Sequence, residues 1–335
     1  MANDQGVILK QLSSLGVGAC VNSVAHLELA LESGFPPAEI QYSSTGLSKT
    51  DMQRLLSLGI QVNVDSLSQL EQWATLGGAT MGLRVNASSL SDDRPEDRIG
   101  MSLGDLETAR AISREQGLKV SGLHVYIGTN LQSHERLLPT VDRLFQVAEQ
   151  FDEIEYLNIG GGVGVNYQHS GPDFDLPAYG RAVSRCHRRL SQQLGRSVKV
   201  IVEPGRKLAA SSGRMVTRIT DVKRLHGCRY VAVDASIAIF PRPFHHPESP
   251  HHIRLLSETQ TQDCEHLSEA TVVGRTTFSR DILGTAEFQE NLSVDDVLVF
   301  EDAGSYCQSM VTRFLGQLSP AIVVIDEKGN AICLQ

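Results

Sequence analysis

Through the first two thirds of the chain, short apolar or β-branched runs alternate with longer stretches whose apolar residues recur three and four positions apart. The short runs, at 17–21, 40–43, 60–64, 81–85, 120–127, 154–159 and 198–202, have the length and composition of β-strands. Between them, 23–33, 67–75, 103–115 and 134–151 carry the helical period. Strand and helix in strict alternation predict βα units on a parallel sheet.

That alternation fits either an open sheet or a closed barrel. A (β/α)8 TIM-type barrel needs eight strands, because strand number fixes the tilt and stagger that close the sheet. Seven are visible, and a helix-like segment at 6–14 precedes the first of them. If the fold is a barrel, its first strand is expected immediately upstream of Met1. Beyond Arg206 the pattern changes to strands with hairpin-like spacing, at 215–222, 230–233, 270–273, 297–300 and 322–325. A separate C-terminal β domain follows, with the boundary in the small residues at 211–213, giving domains 1–212 and 213–335.

Composition narrows the classes of function. At 335 residues, 41% hydrophobic and 21% charged, the chain buries a substantial core and is not a disordered protein. A net charge of −9 and the lack of any basic run interleaved with aromatics argue against a nucleic-acid partner. No apolar run reaches the ~18 residues of a membrane span, and 1–10 lacks the pattern of a signal peptide, so a cytoplasmic chain with no membrane partner is expected. The six cysteines, Cys20, Cys186, Cys228, Cys264, Cys307 and Cys333, lie far apart. They read as reduced, mostly buried thiols rather than disulfides or a zinc ribbon.

Two motifs can carry chemistry. Gly160-Gly161-Gly162 follows the sixth strand, and glycines at a strand's carboxyl end let backbone amides approach a phosphate with no Cβ in the way. The plainer reading is a tight turn. Glu203-Pro204-Gly205-Arg206 ends the seventh strand and brings a carboxylate, a close-approach glycine and a guanidinium beside that turn. A carboxylate keeps a heteroaromatic nitrogen protonated, and arginine with backbone amides holds phosphate. The plainer reading of Glu203 is an ion pair with Arg206 or Arg84.

Together with 63–66, 83–86, 98–100, 122–129, Arg242-Pro243 and 301–306, these motifs resemble, in order and over nearly the whole chain, the ornithine/diaminopimelate/arginine decarboxylase family of pyridoxal-phosphate enzymes, which has the alanine-racemase fold. The resemblance implies pyridoxal 5′-phosphate as cofactor and a small amino acid as substrate. It implies that Gly160, Gly161, Gly162, Gly205, Arg206 and Tyr306 bind the cofactor, mainly through its phosphate, that Glu203 pairs with the pyridine nitrogen, and that Thr129 lies near phosphate or ring. It also implies a homodimer whose active sites are shared, each barrel being completed by the partner's 274–281 segment. In such enzymes the cofactor takes up the electrons left by carbon dioxide loss, and the protein orients groups and delivers protons.

The chain departs from the family at several positions. The lysine that carries the cofactor stands two residues before an asparagine in a Lys-Ala-Asn step, where this chain reads Met1-Ala2-Asn3. The absent strand and the absent lysine are therefore one gap, and Lys10 and Lys49 fall on other elements. Tyr126 stands for the ring-stacking histidine, which keeps an aromatic face but exchanges an imidazole for a phenol. Thr277 stands for the cysteine that delivers a proton, and Phe278 for the acidic residue that holds the substrate's far amine. Cys20 and His26 replace an aspartate and a glutamate near the cofactor. The histidine-rich run 244–252 is a proline-broken loop that puts His246 near the substrate rather than on a metal. Two readings follow: a diverged decarboxylase with Tyr126, Glu203 and Thr277 as its catalytic groups, or a non-catalytic regulatory homologue that kept the fold and binds a partner protein. The intact phosphate set favours the first. With Phe278 in place of an acid and Arg242, Arg275 and Arg280 nearby in sequence, the substrate's far end is expected to be a carboxylate or an acylated, neutral group.

Overall fold

Apolar residues face outward from a rolled parallel sheet and polar ones line its inside. The computed structural model describes residues 1–256 and 267–334. Its chain forms two compact units, one built mainly from Asn3–Asn166 and Pro172–Lys207 and the other from Tyr167–Gly171 and Leu208–Gln335.

The first unit runs α1 (Gly6–Ser14), β1 (Ala19–Val21), α2 (Val24–Glu32), β2 (Ile40–Ser43), α3 (Lys49–Leu58), β3 (Gln61–Val64), α4 (Leu67–Thr75), β4 (Thr80–Val85), α5 (Leu103–Gln116), β5 (Lys119–Val125), α6 (Leu138–Ala148), β6 (Tyr156–Asn158), α7 (Leu176–Leu194), β7 (Lys199–Ile201) and α8 (Gly205–Ala209). All seven expected strands are present, parallel and in sequence order. Helix ends follow local chemistry. Ser48 with Asp51, and Ser102 with Asp105, form capping boxes, while Gly59 and Gly117 close the same helices in the left-handed conformation.

The curl of the sheet is read from side chains that meet across it. Strands β2 and β6 are four places apart, ~19 Å in a flat sheet, yet Asn158 Nδ2 donates to Gln41 Oε1 at 2.5 Å. Tyr156 on β6 likewise donates its hydroxyl to Asn63 Oδ1 on β3 at 2.5 Å. The sheet is therefore a barrel wall, and alternation sends Gly122, His124 and Tyr126 to its inside, and Leu123, Val125 and Ile127 to the helices. The outward residues join Leu27, Leu55, Leu70, Leu106 and Leu144 in one apolar core.

The second unit holds β8 (Met215–Leu225), β9 (Cys228–Val233), α9 (Arg242–His245), β10 (Ile253–Leu255), β11 (Leu267–Val273), β12 (Ile282–Gln289), β13 (Val297–Phe300), β14 (Val323–Ile325) and β15 (Ala331–Cys333). The sheet order is β10-β13-β8-β9-β11-β12, antiparallel except between β9 and β11, and β14 and β15 form a separate ribbon. It encloses its own core around Val231, Val272, Leu283 and Phe300. The sequence pattern does not mark β10, β12 or β15. Two of these span three residues, and the β11–β12 register shifts at Val272/Val273 and spoils the alternation. The long helix α7 is a further addition.

The thiols are less buried than expected: Cys307 is buried, Cys20 and Cys186 are half-buried, and Cys228 and Cys333 are exposed. Cys333 lies on a ribbon strand that is exposed throughout, so its apolar neighbours do not enclose it. Cys264 lies outside the described residues. No helix among them is long and apolar enough to cross a membrane.

The rolled sheet needs glycine opposite the Tyr156 ring, because a Cβ at Gly122 would fall 2.1 Å from its Cζ. Gly122→Ala should therefore lower stability by ~1–3 kcal/mol. Gly180→Ala, on α7 with open space around it, should raise stability by up to ~1 kcal/mol. Denaturant midpoints that shift in the same direction for both would contradict this account of the packing.

Candidate active site

The groups of interest emerge where β1, β3, β4, β5, β6 and β7 end, at the face where a barrel's strand ends and loops converge. Glu203 follows β7, and its backbone amide donates to the Gly160 carbonyl at 2.8 Å, tying the β7 end to the glycine turn. Its carboxylate is met from three strands. Asn158 Nδ2 lies 2.6 Å and His124 Nε2 3.5 Å from Oε1, and the Cys20 thiol also bonds the group. Burial alone would raise the carboxyl pKa, but the hydrogen bonds and charge of His124, with those of Cys20 and Asn158, outweigh it and hold the group at about 2. The neighbouring carboxylate drives the Cys20 thiol the other way, adding to the effect of burial to keep it protonated. Glu203 is thus ionised, and neither Arg206 nor Arg84 is what ionises it. Arg84 instead pairs with Asp65 at 3.1 Å, both buried at the ends of β4 and β3. Burial raises the Asp65 pKa in spite of that guanidinium.

The glycine run is dictated first by packing. A Cβ at Gly160 would fall 2.3 Å from the Val125 carbonyl oxygen, and one at Gly161 2.3 Å from that of Glu203, so only glycine lets the loops after β5, β6 and β7 lie in contact. That packing leaves the amides of Gly161 and Gly162 without a protein acceptor among the described residues. Arg206, 7% exposed, lies in the first turn of α8, just beyond the Glu203 that is tied to this turn. Two half-buried amides without an acceptor, a nearby guanidinium and a carboxylate fixed as the anion suit the phosphate and the basic ring nitrogen of a pyridoxal phosphate. Tyr126 lies on the loop against Gly160, with its Cα 3.8 Å from where a Cβ there would sit, and its hydroxyl bonds Thr129 Oγ1 at 3.0 Å.

The chain's lysines are placed elsewhere. Lys119, Lys199 and Lys207 pair with Glu155, Glu39 and Asp173, Lys10 and Lys49 are exposed on α1 and α3, and Lys223 and Lys328 belong to the second unit.

The other candidates lie in that second unit. The 274–281 loop is organised by Asp281, which is 3% exposed. Its carboxylate accepts from the amides of Ile237 and Thr276, at 2.8 and 3.0 Å, and from the Thr276 hydroxyl. Thr277 and Arg280 are exposed on this loop. Phe278 packs edge-on against Phe244 and Phe314, and the Arg280 guanidinium lies 5.1 Å above the Phe244 ring. Arg242 is fully buried, stacked 3.4 Å over Tyr167 and bonded to the Ser249 carbonyl, so its observed work is to fix the loop that follows it. His246 is half-buried and meets Glu248 at 3.2 Å, and His251 Nδ1 donates to the Glu301 carbonyl at 2.7 Å, so these members of the histidine-rich run have protein partners. Tyr306 is half-buried with a positive φ of 55°.

His124, Asn158 and Asp65 have no role in the expectations drawn from the sequence. The available signal was a polar residue at an inward position of an otherwise apolar parallel strand, a placement that requires a partner.

A rolled βα sheet whose carboxyl edge offers an ionised carboxylate, glycine amides and a guanidinium defines a barrel for a phosphorylated heteroaromatic cofactor. Residues 1–210 match the pyridoxal-binding domain of the pyridoxal-dependent decarboxylases, and the chain belongs to that family. It is 30% identical to a diaminopimelate decarboxylase of Neisseria meningitidis serogroup B, over 97% of this chain and 80% of that protein. It is 25% identical to one from Zymomonas mobilis, over 99% and 80%. The crystal structure of the M. jannaschii diaminopimelate decarboxylase with L-lysine shares the fold, with a TM-score of 0.90 at 23% identity over 99% of this chain and 79% of that one. The family's cofactor is pyridoxal phosphate. These relatives lend the reading of a non-catalytic regulator no support.

Glu203 has a pKa below its ordinary 4.5, so it stabilises the fold fully above pH 4.5 and loses that contribution as pH falls towards about 2. Glu203→Gln, which cannot titrate there, should show a shallower fall in stability between pH 5 and pH 2, by on the order of 3 kcal/mol. Parallel acid limbs for the two proteins, measured by denaturant unfolding at each pH, would contradict the assignment of this pKa.

Proposed function

We propose that this protein serves decarboxylation at the α-carbon of an amino acid whose far end bears a carboxylate or an acylated, neutral group. Diaminopimelate, the substrate in the names of the relatives, is the reference compound of that class. The observation that carries the reading is Glu203, held as the anion by three strands at the edge where the amides of Gly161 and Gly162 have no acceptor among the described residues. When bound, pyridoxal phosphate supplies the electron sink for the pair released as the carboxyl group leaves.

In this reading Gly161, Gly162 and Arg206 hold the phosphate, with Tyr306 and Thr129 assisting, while Gly160 and Gly205, whose amides donate to Asn158 and to the Glu203 carbonyl, shape the turns that present them. Glu203 keeps the ring nitrogen protonated, and Tyr126 lies against the ring. Thr277 stands at the position of proton return. Its hydroxyl hardly ionises, so it serves as one member of a relay rather than as an acid. Phe278 and His246 border the far end of the substrate, where the Arg280 guanidinium disfavours a lone ammonium, and Arg242 acts from below by fixing the loop that carries His246. Residues 1–212 act as the cofactor domain and 213–335 as the domain that completes the site in a homodimer. For these 335 residues the cofactor is held without a covalent bond, since no lysine of the chain has been placed at the cradle.

Titration of pyridoxal phosphate against protein fluorescence should give saturable binding, weakened about tenfold or more by Arg206→Ala. Borohydride reduction should leave the cofactor extractable. Equal affinities for the two proteins would sink the phosphate assignment. With cofactor bound, diaminopimelate or an acylated diamino acid should perturb the cofactor's absorption at lower concentration than ornithine or lysine does, and the reverse order would overturn the substrate class.

A further inference from the structure

One fully buried side chain joins the carboxylate to the glycine turn. Asn158, on the inside of β6, has 0% exposure and uses both amide hydrogens and its carbonyl oxygen in hydrogen bonds. Its Nδ2 donates to Glu203 Oε1 at 2.6 Å and to Gln41 Oε1 at 2.5 Å, and its Oδ1 accepts from the Gly160 amide at 2.9 Å. The orientation of the amide follows from these partners. Two oxygens that accept face its nitrogen, and an N–H that donates faces its oxygen. Gln41 cannot turn round, because its own Nε2 is committed to Gln61 Oε1 at 2.8 Å.

The two groups joined here lie on different loops, the end of β7 and the start of the glycine turn. Gly160 sits at φ +66°, hard against the Val125 carbonyl, so its amide cannot rotate to follow a displaced partner. We propose that Asn158 is a positioning residue, which sets the spacing between the carboxylate that meets the cofactor's ring nitrogen and the amides that meet its phosphate. This rests on the roles given above to Glu203 and Gly160–Gly162. Aspartate at this position would keep the bond from Gly160 but set two carboxylates in contact, so that one of them holds a proton. Alanine would release both ends.

The test separates the two ends by ligand rather than by turnover. Wild type, Asn158→Asp, Asn158→Ala and Glu203→Gln are titrated by fluorescence with pyridoxal phosphate, with 1-deazapyridoxal phosphate, which has C–H in place of the ring nitrogen, and with pyridoxal, which lacks the phosphate. Wild type should prefer pyridoxal phosphate to its deaza analogue. Asn158→Asp should bind pyridoxal phosphate about tenfold or more weakly while leaving the deaza analogue within about twofold, abolishing the preference. Asn158→Ala should weaken both phosphorylated ligands and reduce the advantage of either over pyridoxal. A preference that persists in Asn158→Asp, or a uniform loss for all three ligands, would overturn the proposal.

Glu203→Gln tests the underlying reading separately. If that variant keeps the preference, the assignment of Glu203 to the ring nitrogen fails. If it loses the preference while Asn158→Asp keeps it, only the positioning role fails. Should Asn158→Asp not fold, Gln41→Leu leaves the contacts of Asn158 with Glu203 and Gly160 possible but unbraced. It should lower the preference by a smaller factor in the same direction, and an unchanged preference would count against the proposal.

Discussion

Keeping a carboxylate ionised inside a protein is costly unless donors surround it, and Glu203 sets that requirement for the whole first unit. Its partners come from β5 and β6, the strands next to β7 in the sheet, and from β1, which lies at the opposite end of the strand order and reaches Glu203 only because the sheet is rolled. Rolling in turn leaves an interior to fill. Tyr156 fills part of it, with glycines on β4 and β5 making room for the ring, and Asn63, Gln41 and Asn158 bond one another or their neighbours across the rest. The polar lining is thus a support for the mouth of the barrel, built from below.

The departures from the family pattern at this mouth are linked by strand geometry. Tyr126 and His124 are two residues apart at the end of β5, so both face inward, the imidazole one layer deeper than the phenol. The chain keeps an aromatic face for a ring and spends its imidazole on the carboxylate that would hold that ring's nitrogen. Cys20 acts in the same direction, contributing a neutral donor to Glu203 from a position where an acid would repel it. Cys20 and His124 thus stabilise one anion, and the replacement at Cys20 need not be read as a step of decay.

The strands and most helices of the barrel were legible because parallel strands covered by helices are apolar on their outer face, and because Ser23, Ser48, Ser66 and Ser102 announce helix starts. The glycine turn and Glu203 were legible as a pair for a different reason: consecutive strands of a βα sheet are neighbours. What the sequence could not disclose is contact between strands far apart in order, such as Asn158 with Gln41, since linear spacing does not say that a sheet closes on itself. The second unit was less legible for a related reason. Its short strands, such as β10, owe their pairing to β13 more than to their own pattern, and Arg242, expected beside a substrate, is instead stacked on Tyr167, a contact that linear spacing does not announce.

The 274–281 loop shows how specificity can change without the loop refolding. Its shape depends on three positions: Gly274, where a Cβ would fall 2.3 Å from the Asp281 carboxylate, Thr276, which bonds that carboxylate twice, and Asp281 itself, which also takes the Ile237 amide. Phe278 joins that knot through its backbone alone, and the side chains of Thr277, Phe278 and Arg280 stand outside it. Side chains there can pass from thiol to hydroxyl, or from acid to aromatic, while the backbone that presents them stays fixed by its own buried anion. In each unit a carboxylate met by several donors, half-buried Glu203 in one and buried Asp281 in the other, organises its surroundings. The residues left free to vary are those that would touch a ligand's ring or its far end.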